Sequence, residues 1–296
     1  MVQKSNTFHS LDRSCLFRLT SVNKLAQLFF SSLTHLEALK TDEKHYSCWD
    51  ETKKNGATRR IEAPNNNLKK VQKRIADLLQ RIQPPDYLMA PVKKRSYVDN
   101  AAVHCGAKVF LSLDIQDFFP SCTSKKVFWF FHTKMECASH VANLLTKLVT
   151  FKGHLPQGSP CSPILAYFSY LDMWQEIENI CKNSGYSLSI YADDITISGP
   201  MVYKKDVWKI KQVLFRHGHQ YNKQKERQII DKPAKVTGVI VSGESLRLPN
   251  RQHEKIVKLR RKKNHLLSAK EREAVDRQLR GRHAQASQIQ NYSLKG

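Results

Sequence analysis

The chain has 296 residues, with 49 Lys and Arg against 26 Asp and Glu, a formal net charge of +23. This excess points to a polyanionic partner, and the length suffices for more than one subdomain around a real core. The longest apolar cluster near the N-terminus, LAQLFF at 25–30, is too short to span a bilayer, and no charged-then-apolar leader precedes it; membrane insertion is not expected, which leaves nucleic acid as the leading partner.

In chain order, residues 16–40 and 68–82 are predicted helical. In the second segment Leu68, Val71, Ile75, Leu78, Leu79 and Ile82 recur at spacings of three and four, with Lys69, Lys70, Lys73 and Arg74 largely off that stripe as a solvated face. QPPDYL at 83–88 ends the helix, since proline cannot continue it. KVFLSLDI, 108–115, is a β-rich run that closes on an acid. VFWFF, 127–131, begins a packed helix, with a strand as the alternative. LPQGSPCSP, 155–163, reads as a loop, with Ser162 as N-cap and Pro163 as the first position of the next helix. Ile164, Phe168, Leu171 and Trp174 give that helix its buried side. SIYADDITIS, 189–198, reads as two short strands with Asp193 and Asp194 at their turn. A helix near 203–217 comes next, then a hairpin in KVTGVIVSGESLRL, 235–248. A boundary falls near 245. Residues 247–296 hold 14 Lys and Arg against 4 Asp and Glu. Helices are predicted near 251–266 and 269–280, with a capping box at Ser268 and Glu271, a stop at Gly281 and a frayed tail after 282.

The seven cysteines, Cys15, Cys48, Cys105, Cys122, Cys137, Cys161 and Cys181, are odd in number, irregularly spaced and without a CxxC. Neither a disulfide framework nor a structural zinc site is expected, and reduced thiols fit a cytoplasmic protein.

Two adjacent acids are an unusual choice for the tip of a hairpin, where Asn-Gly turns more easily. The ordinary explanation is that aspartate caps turns through its own backbone bonds. The other is convergence. Asp114 ends a strand 79 residues earlier, and if the two elements are sheet neighbours, three carboxylates meet. Two unit charges ~4 Å apart repel by about 4 kcal/mol at an effective dielectric near 20, which calls for protonation or a cation. Mg²⁺ takes oxygen ligands and leaves positions open for phosphate. Two such ions stabilise the attacking and leaving oxygens of an in-line displacement.

The motifs LSLDIQDFFPS (111–121), LPQGSPCSP (155–163) and YADD (191–194) stand in the order found in reverse transcriptases. NAAVH (100–104) resembles the NAxxH motif of bacterial retron reverse transcriptases, and VTG (236–238) resembles their second signature. The chain is thus similar to the retron enzymes over roughly residues 50–250. This resemblance implies an α+β right-hand polymerase: an N-terminal helical region (1–50), fingers (51–107, with part of 120–160), a palm with an antiparallel sheet (108–245) and a basic helical thumb (246–296).

By the same resemblance, Asp114, Asp193 and Asp194 hold two Mg²⁺ ions with help from the Ile115 carbonyl, and dNTPs are the substrates. Phe119 gates against a 2′-OH, with a core role as the alternative, and Phe118 suits the core. Gln157 and Gly158 contact template and nucleotide, with a plain turn as the alternative. In KKNGATRRIEAP (53–64) Arg59 clamps the triphosphate and Lys53 assists, with a solvated basic hairpin as the alternative. Lys225 donates a proton to pyrophosphate, although Glu226 stands where the family has threonine. Val236, Thr237 and Gly238 form a turn supporting the primer end, or a merely structural one. Asn100 and His104 contact RNA, with a structural role as the alternative. Lys255, Lys258, Arg260, Arg261, Lys262 and Lys263, six cations in nine residues, cannot share one helix face and suit an A-form RNA stem. Ile256, Leu259, Leu266 and Leu267 remain to pack on the palm.

The implied function is reverse transcription of part of a cognate structured non-coding RNA into branched multicopy single-stranded DNA, primed from a guanosine 2′-OH, in antiphage defence with an effector protein. One rival is an RNA- and msDNA-binding scaffold that controls the effector. Another is a group II intron or diversity-generating reverse transcriptase, disfavoured by NAAVH and VTG.

Overall fold

A computed structural model of the chain describes residues 8–40, 43–52, 56–265 and 268–292. The stretch predicted helical over 16–40 holds two helices, α1 (Val22–Leu28) and α2 (Leu33–Leu39). Ser21 caps the first and Ser32 the second, accepting from the backbone N–H of Lys24 and His35. Phe30 between them has φ 54°, which no continuous right-handed helix allows.

An antiparallel hairpin comes next, β1 (Tyr46–Thr52) with β2 (Thr58–Pro64), registered from Tyr46 opposite Pro64 to Thr52 opposite Thr58. Helix α3 (Asn66–Leu79) begins where Asn65 accepts from the Leu68 N–H at 3.0 Å. Its apolar stripe is buried as its spacing requires, and so is Gln72. The Gln72 amide donates to the Tyr46 hydroxyl at 2.9 Å and the Leu148 carbonyl at 3.0 Å, and its oxygen accepts from Ser159 Oγ at 2.6 Å. Full pairing removes the cost of burying an amide and ties the hairpin, α3 and the 155–163 loop together.

The central sheet contains β3 (Leu88–Ala90), then, after α4 (Tyr97–Ala102), β4 (Val109–Asp114), and later β5 (Ser187–Tyr191), β6 (Asp194–Gly199) and β7 (Arg227–Ile230). Their order is β3-β5-β6-β4-β7. The expectation of an antiparallel sheet needs correction: β3 runs parallel to β5, while the other neighbours are antiparallel. β3 reaches the sheet edge from α3 and leaves into α4, and only a tight hairpin would have forced the antiparallel sense.

Between β4 and β5 the chain forms α5 (Phe118–Ser121), α6 (Ser124–Trp129), α7 (Ser139–Val149), α8 (Ser162–Phe168) and α9 (Leu171–Asn183), and α10 (Lys204–Arg216) comes after β6. The VFWFF run is helical, passing from α6 into a π-helical turn at Phe130–Lys134. Helix α8 starts one residue earlier than predicted. Cys161 is the N-cap, and Ser162 Oγ instead donates to the Pro156 carbonyl at 2.7 Å, holding the loop. Val109, Leu111 and Leu113 of β4 enter the main core with Ile195 and Ile197, Trp174 and Leu214, whereas Phe110 points into a second core. The sheet is therefore covered on both faces.

That second core belongs to the C-terminal region. β8 (Ala234–Val236), β9 (Val239–Ser242) and β10 (Ser245–Arg247) form a three-stranded meander where a single hairpin was predicted. Helices α11 (Asn250–His265) and α12 (Ala269–Gln290) pack beside it. Ile256 is buried and Leu259 partly so; Leu266 and Leu267 lie outside the described residues. Ser268 caps α12 as predicted. Gly281 does not stop it; the helix continues to Gln290. Ile289 is buried, and Tyr292 donates to Asp99 Oδ1 at 2.7 Å. Burying an Ile side chain is worth about 1.5–3 kcal/mol, more than the about 1 kcal/mol that glycine costs a helix.

Candidate active site

Register places the acids. Asp114, last in β4, lies directly opposite Asp194, first in β6. Ala192 and Asp193 turn β5 into β6, with Ala192 at φ 58°. The Ile115 N–H donates to the Asp193 carbonyl at 3.0 Å, locking the turn to the end of β4. Asp114 is 8% exposed, Asp193 half-buried, and Asp194 keeps a face open to solvent.

Burial, then the charges of Asp193 and Asp114, push Asp194 up to about 7. Burial and the Asp114 charge also raise Asp193. Lys225 Nζ donates to Asp114 Oδ2 at 2.6 Å. Burial pulls Lys225 down, but the bond to Asp114 and the surrounding carboxylates hold it above the ordinary lysine value. Among the described residues no three His, Cys, Asp or Glu side chains already surround a common metal position. The donor set nevertheless fits a hard divalent cation: three carboxylates face one lysine, and the strain on Asp194 is the kind such a charge relieves.

Beside the acids is a cavity of about 310 Å³. It brings together Arg59, Asp114, Ile115, Phe119, Gln157, Asp193 and Lys225, residues contributed by segments far apart in sequence. Phe119 is partly exposed there, while Phe118 is 6% exposed and packs against the His219 ring. Gly158 sits elsewhere. Its φ is 139°, and a Cβ would meet the Glu62 carbonyl oxygen at 2.9 Å. The glycine lets the loop close on β2, with Glu62 N–H donating to the Gln157 carbonyl at 2.8 Å, rather than baring backbone to the cavity. Lys53 lies outside the described residues.

A second groove, about 400 Å³, shares Asp114 and Lys225 with the first, reaches Asp194 and is bordered by Val236 and Thr237. Thr237 and Gly238 both have positive φ, 43° and 90°, as a tight two-residue hairpin turn demands. Arg227 and Lys235 also line this groove. Sequence reasoning missed both, although each stands on a strand where alternation fixes the face it presents.

The departure at Glu226 has a structural answer. Glu226 turns away from the acids and pairs with Lys211 of α10 at 2.6 Å. The expectation of RNA contact at Asn100 and His104 is corrected: they are 1% and 0% exposed. Asn100 Nδ2 donates to Thr237 Oγ1 at 3.1 Å, and the His104 ring shares hydrogen bonds of 2.7 Å with Ser189 and Ser198. The NAAVH segment braces the VTG turn and the two strands that present YADD. On α11, Lys258, Arg260, Arg261, Lys262 and Lys263 are exposed and Lys255 is partly so; Lys263 pairs with Asp276 at 2.6 Å, and Arg260 meets His283.

Residues 52–241 match the family described as reverse transcriptase (RNA-dependent DNA polymerase). The retron Se72 reverse transcriptase of Salmonella heidelberg (strain 579083-10) is 36% identical over 169 residues, 57% of this chain and 44% of that protein. The retron Ec86 reverse transcriptase of Escherichia coli is 32% identical over 223 residues, 73% of this chain and 67% of that one. The retron Mx65 reverse transcriptase of Myxococcus xanthus is 30% identical over 222 residues, 67% and 52%. The chain thus spans between two fifths and two thirds of the length of these relatives. With its paired acids on a palm-type sheet and this extent of likeness, the chain belongs to the bacterial retron reverse transcriptases.

Proposed function

We propose that the protein is an RNA-directed DNA polymerase that extends a primer on an RNA template. The observation that carries this reading is the register of Asp114 opposite Asp194, with Asp193 beside them, at the mouth of the cavity holding Arg59, Phe119 and Gln157. In the reaction a primer hydroxyl gives its proton to water and attacks the α-phosphorus of a dNTP, forming a phosphodiester as the bond to the leaving pyrophosphate breaks. Arg59 holds the triphosphate through its planar fork. Phe119 lies under the sugar and excludes a 2′-OH. Gln157 positions the nascent pair, and Lys225 gives a proton to the leaving pyrophosphate. Asp114, Asp193, Asp194 and the Ile115 carbonyl would hold two Mg²⁺ ions, whose charge would stabilise the attacking and leaving oxygens when bound. Val236, Thr237 and Gly238 support the primer end in the second groove. The 51–107, 108–245 and 246–296 regions act as fingers, palm and thumb.

The finer reading is retron-specific. The protein binds its own structured non-coding RNA, uses a guanosine 2′-OH as primer and leaves branched multicopy single-stranded DNA. It acts in the cytoplasm in antiphage defence alongside an effector. Family membership, the +23 charge and the exposed cations of α11 support it, and no described helix is long and apolar enough to cross a membrane. The test is to express the protein with its neighbouring non-coding locus and isolate the bound nucleic acid. RNase, DNase and a debranching enzyme should resolve a small DNA joined to RNA. D193A/D194A should lose the DNA and keep the RNA. Random cellular RNA alone would overturn the retron reading, and an unchanged biological effect in the mutant would favour the scaffold.

A further inference from the structure

The segment between Tyr221 and Glu226 is a short turn built against the acids. Tyr221 makes an isolated bridge to Ile115, and the Asn222 N–H donates to the Asp114 carbonyl at 2.8 Å. Asn222 also organises the rest of the turn. Its carbonyl accepts from the N–H groups of Lys225 and Glu226 at 3.0 and 3.1 Å, and its side-chain oxygen from the Gln224 N–H at 3.0 Å. The result is one compact turn that aims Lys225 Nζ at Asp114 Oδ2.

The exit of this turn is tied to a different element. Lys211 of α10 reaches Glu226 Oε1 at 2.6 Å, with side-chain exposures of 12% and 28%. Its ammonium also stands 4.4 Å from the centre of the Tyr221 ring, so a single cation holds both ends of the turn. Helix α10 is itself anchored in the main core by Val207, Ile210, Val213 and Leu214. Exposed ion pairs contribute little. This pair is largely withdrawn from water, doubled by a cation–π contact and mounted on a rigid helix.

We propose that Lys211 is a positioning residue: with Glu226 it clamps the 221–226 turn and keeps Lys225 within reach of Asp114 and of the phosphates of a bound nucleotide. The clamp explains how a glutamate serves where the family has threonine. A carboxylate at this position needs a cation, and α10 supplies it. The last clause of the proposal rests on the polymerase reading, while the clamp itself does not.

The test compares K211M, E226Q, K225Q, the charge swap K211E/E226K, and K211M and E226Q each combined with K225Q. Single-turnover addition of one dNTP to a DNA primer on a synthetic RNA template gives rate and apparent nucleotide affinity separately. Backbone hydrogen exchange over 220–227 is measured in the same proteins without substrate. K211M and E226Q should each slow addition roughly ten- to a hundredfold, the scale of an ångström misplacement, with nucleotide affinity changed much less. Neither should cost anything further once Lys225 is Gln, because both act through it. The swap should recover most of the rate. Exchange over 220–227 should quicken in both single variants, with or without Lys225. Rate losses that multiply with K225Q, or unchanged exchange over 220–227, would overturn the clamp. Wild-type protein that adds no nucleotide, with exchange over 220–227 still quickened in the single variants K211M and E226Q, would leave the clamp standing and sink the polymerase reading instead.

Discussion

Asp114 and Asp194 face each other across two strands, where like charges destabilise a sheet. The folded value of Asp194, about 7, lies above the ordinary 3.8. As pH rises, the unfolded chain therefore releases this proton first, and stability drains between those values and stays lost above them. Asp194→Asn should consequently raise stability at pH 8 by about 0.5–1 kcal/mol, a figure discounted for the solvent-facing side of the residue, while abolishing nucleotide addition; urea unfolding at pH 5 and pH 8 reads the difference, which should shrink at the lower pH. His104 runs the other way. Burial holds it down at about 3 against the ordinary 6.5. Below 6.5 the unfolded chain takes a proton that the folded chain refuses, so stability falls by up to about 1.4 kcal/mol per pH unit until about 3. His104→Gln, which can still bridge Ser189 and Ser198, should flatten the urea midpoint against pH over that window. The acids were legible because they sit in ordered motifs. The burial of His104 was not, since a histidine near a strand has no sequence mark that separates a ligand-facing ring from one wedged between two serines.

Among the elements, the 155–163 loop shows how local chemistry and tertiary contact divide the work. Its glycine and prolines announce a loop, but what Gly158 accommodates is β2, nearly a hundred residues earlier in the chain. Gly158→Ala should cost about 1–3 kcal/mol through its left-handed backbone and the clash with Glu62; a lowered urea midpoint checks this, and Gln157, next in the chain, should lose its place in the cavity, read as weaker nucleotide affinity. The helices predicted near 203–217 and 251–266 match α10 and α11, and periodicity identified α3 to within a few residues because its stripe is regular. It failed past Gly281, where the α12 sequence is polar nearly all round and the buried Ile289 alone gives no pattern.

Across the whole molecule, charge and contact play separate parts. The +23 excess sets an electrostatic, salt-sensitive attraction for polyanions, which on the proposed function are RNA and DNA. Replacing Lys258, Arg261 and Lys262 together by Ala should weaken RNA binding and lower the slope of log Kd against log salt by about two to three, with the thermal midpoint unchanged; equal slopes in a filter-binding titration would remove α11 from the RNA surface. Near α4 several distant parts converge. Tyr292 bonds Asp99, Asn100 bonds Thr237, and His104 bonds the strands flanking the acids, so the C-terminal helix, the VTG turn and the YADD hairpin share one support. By itself the sequence determined the basic character, the ordered motifs and the acids' place at strand ends, because these depend on residue type and short-range spacing. Only the tertiary structure decided that Lys225 meets Asp114, that Lys211 secures Glu226 and that NAAVH is an internal brace. Each of those contacts joins segments whose meeting is set by sheet register and helix packing rather than by anything written in either segment alone.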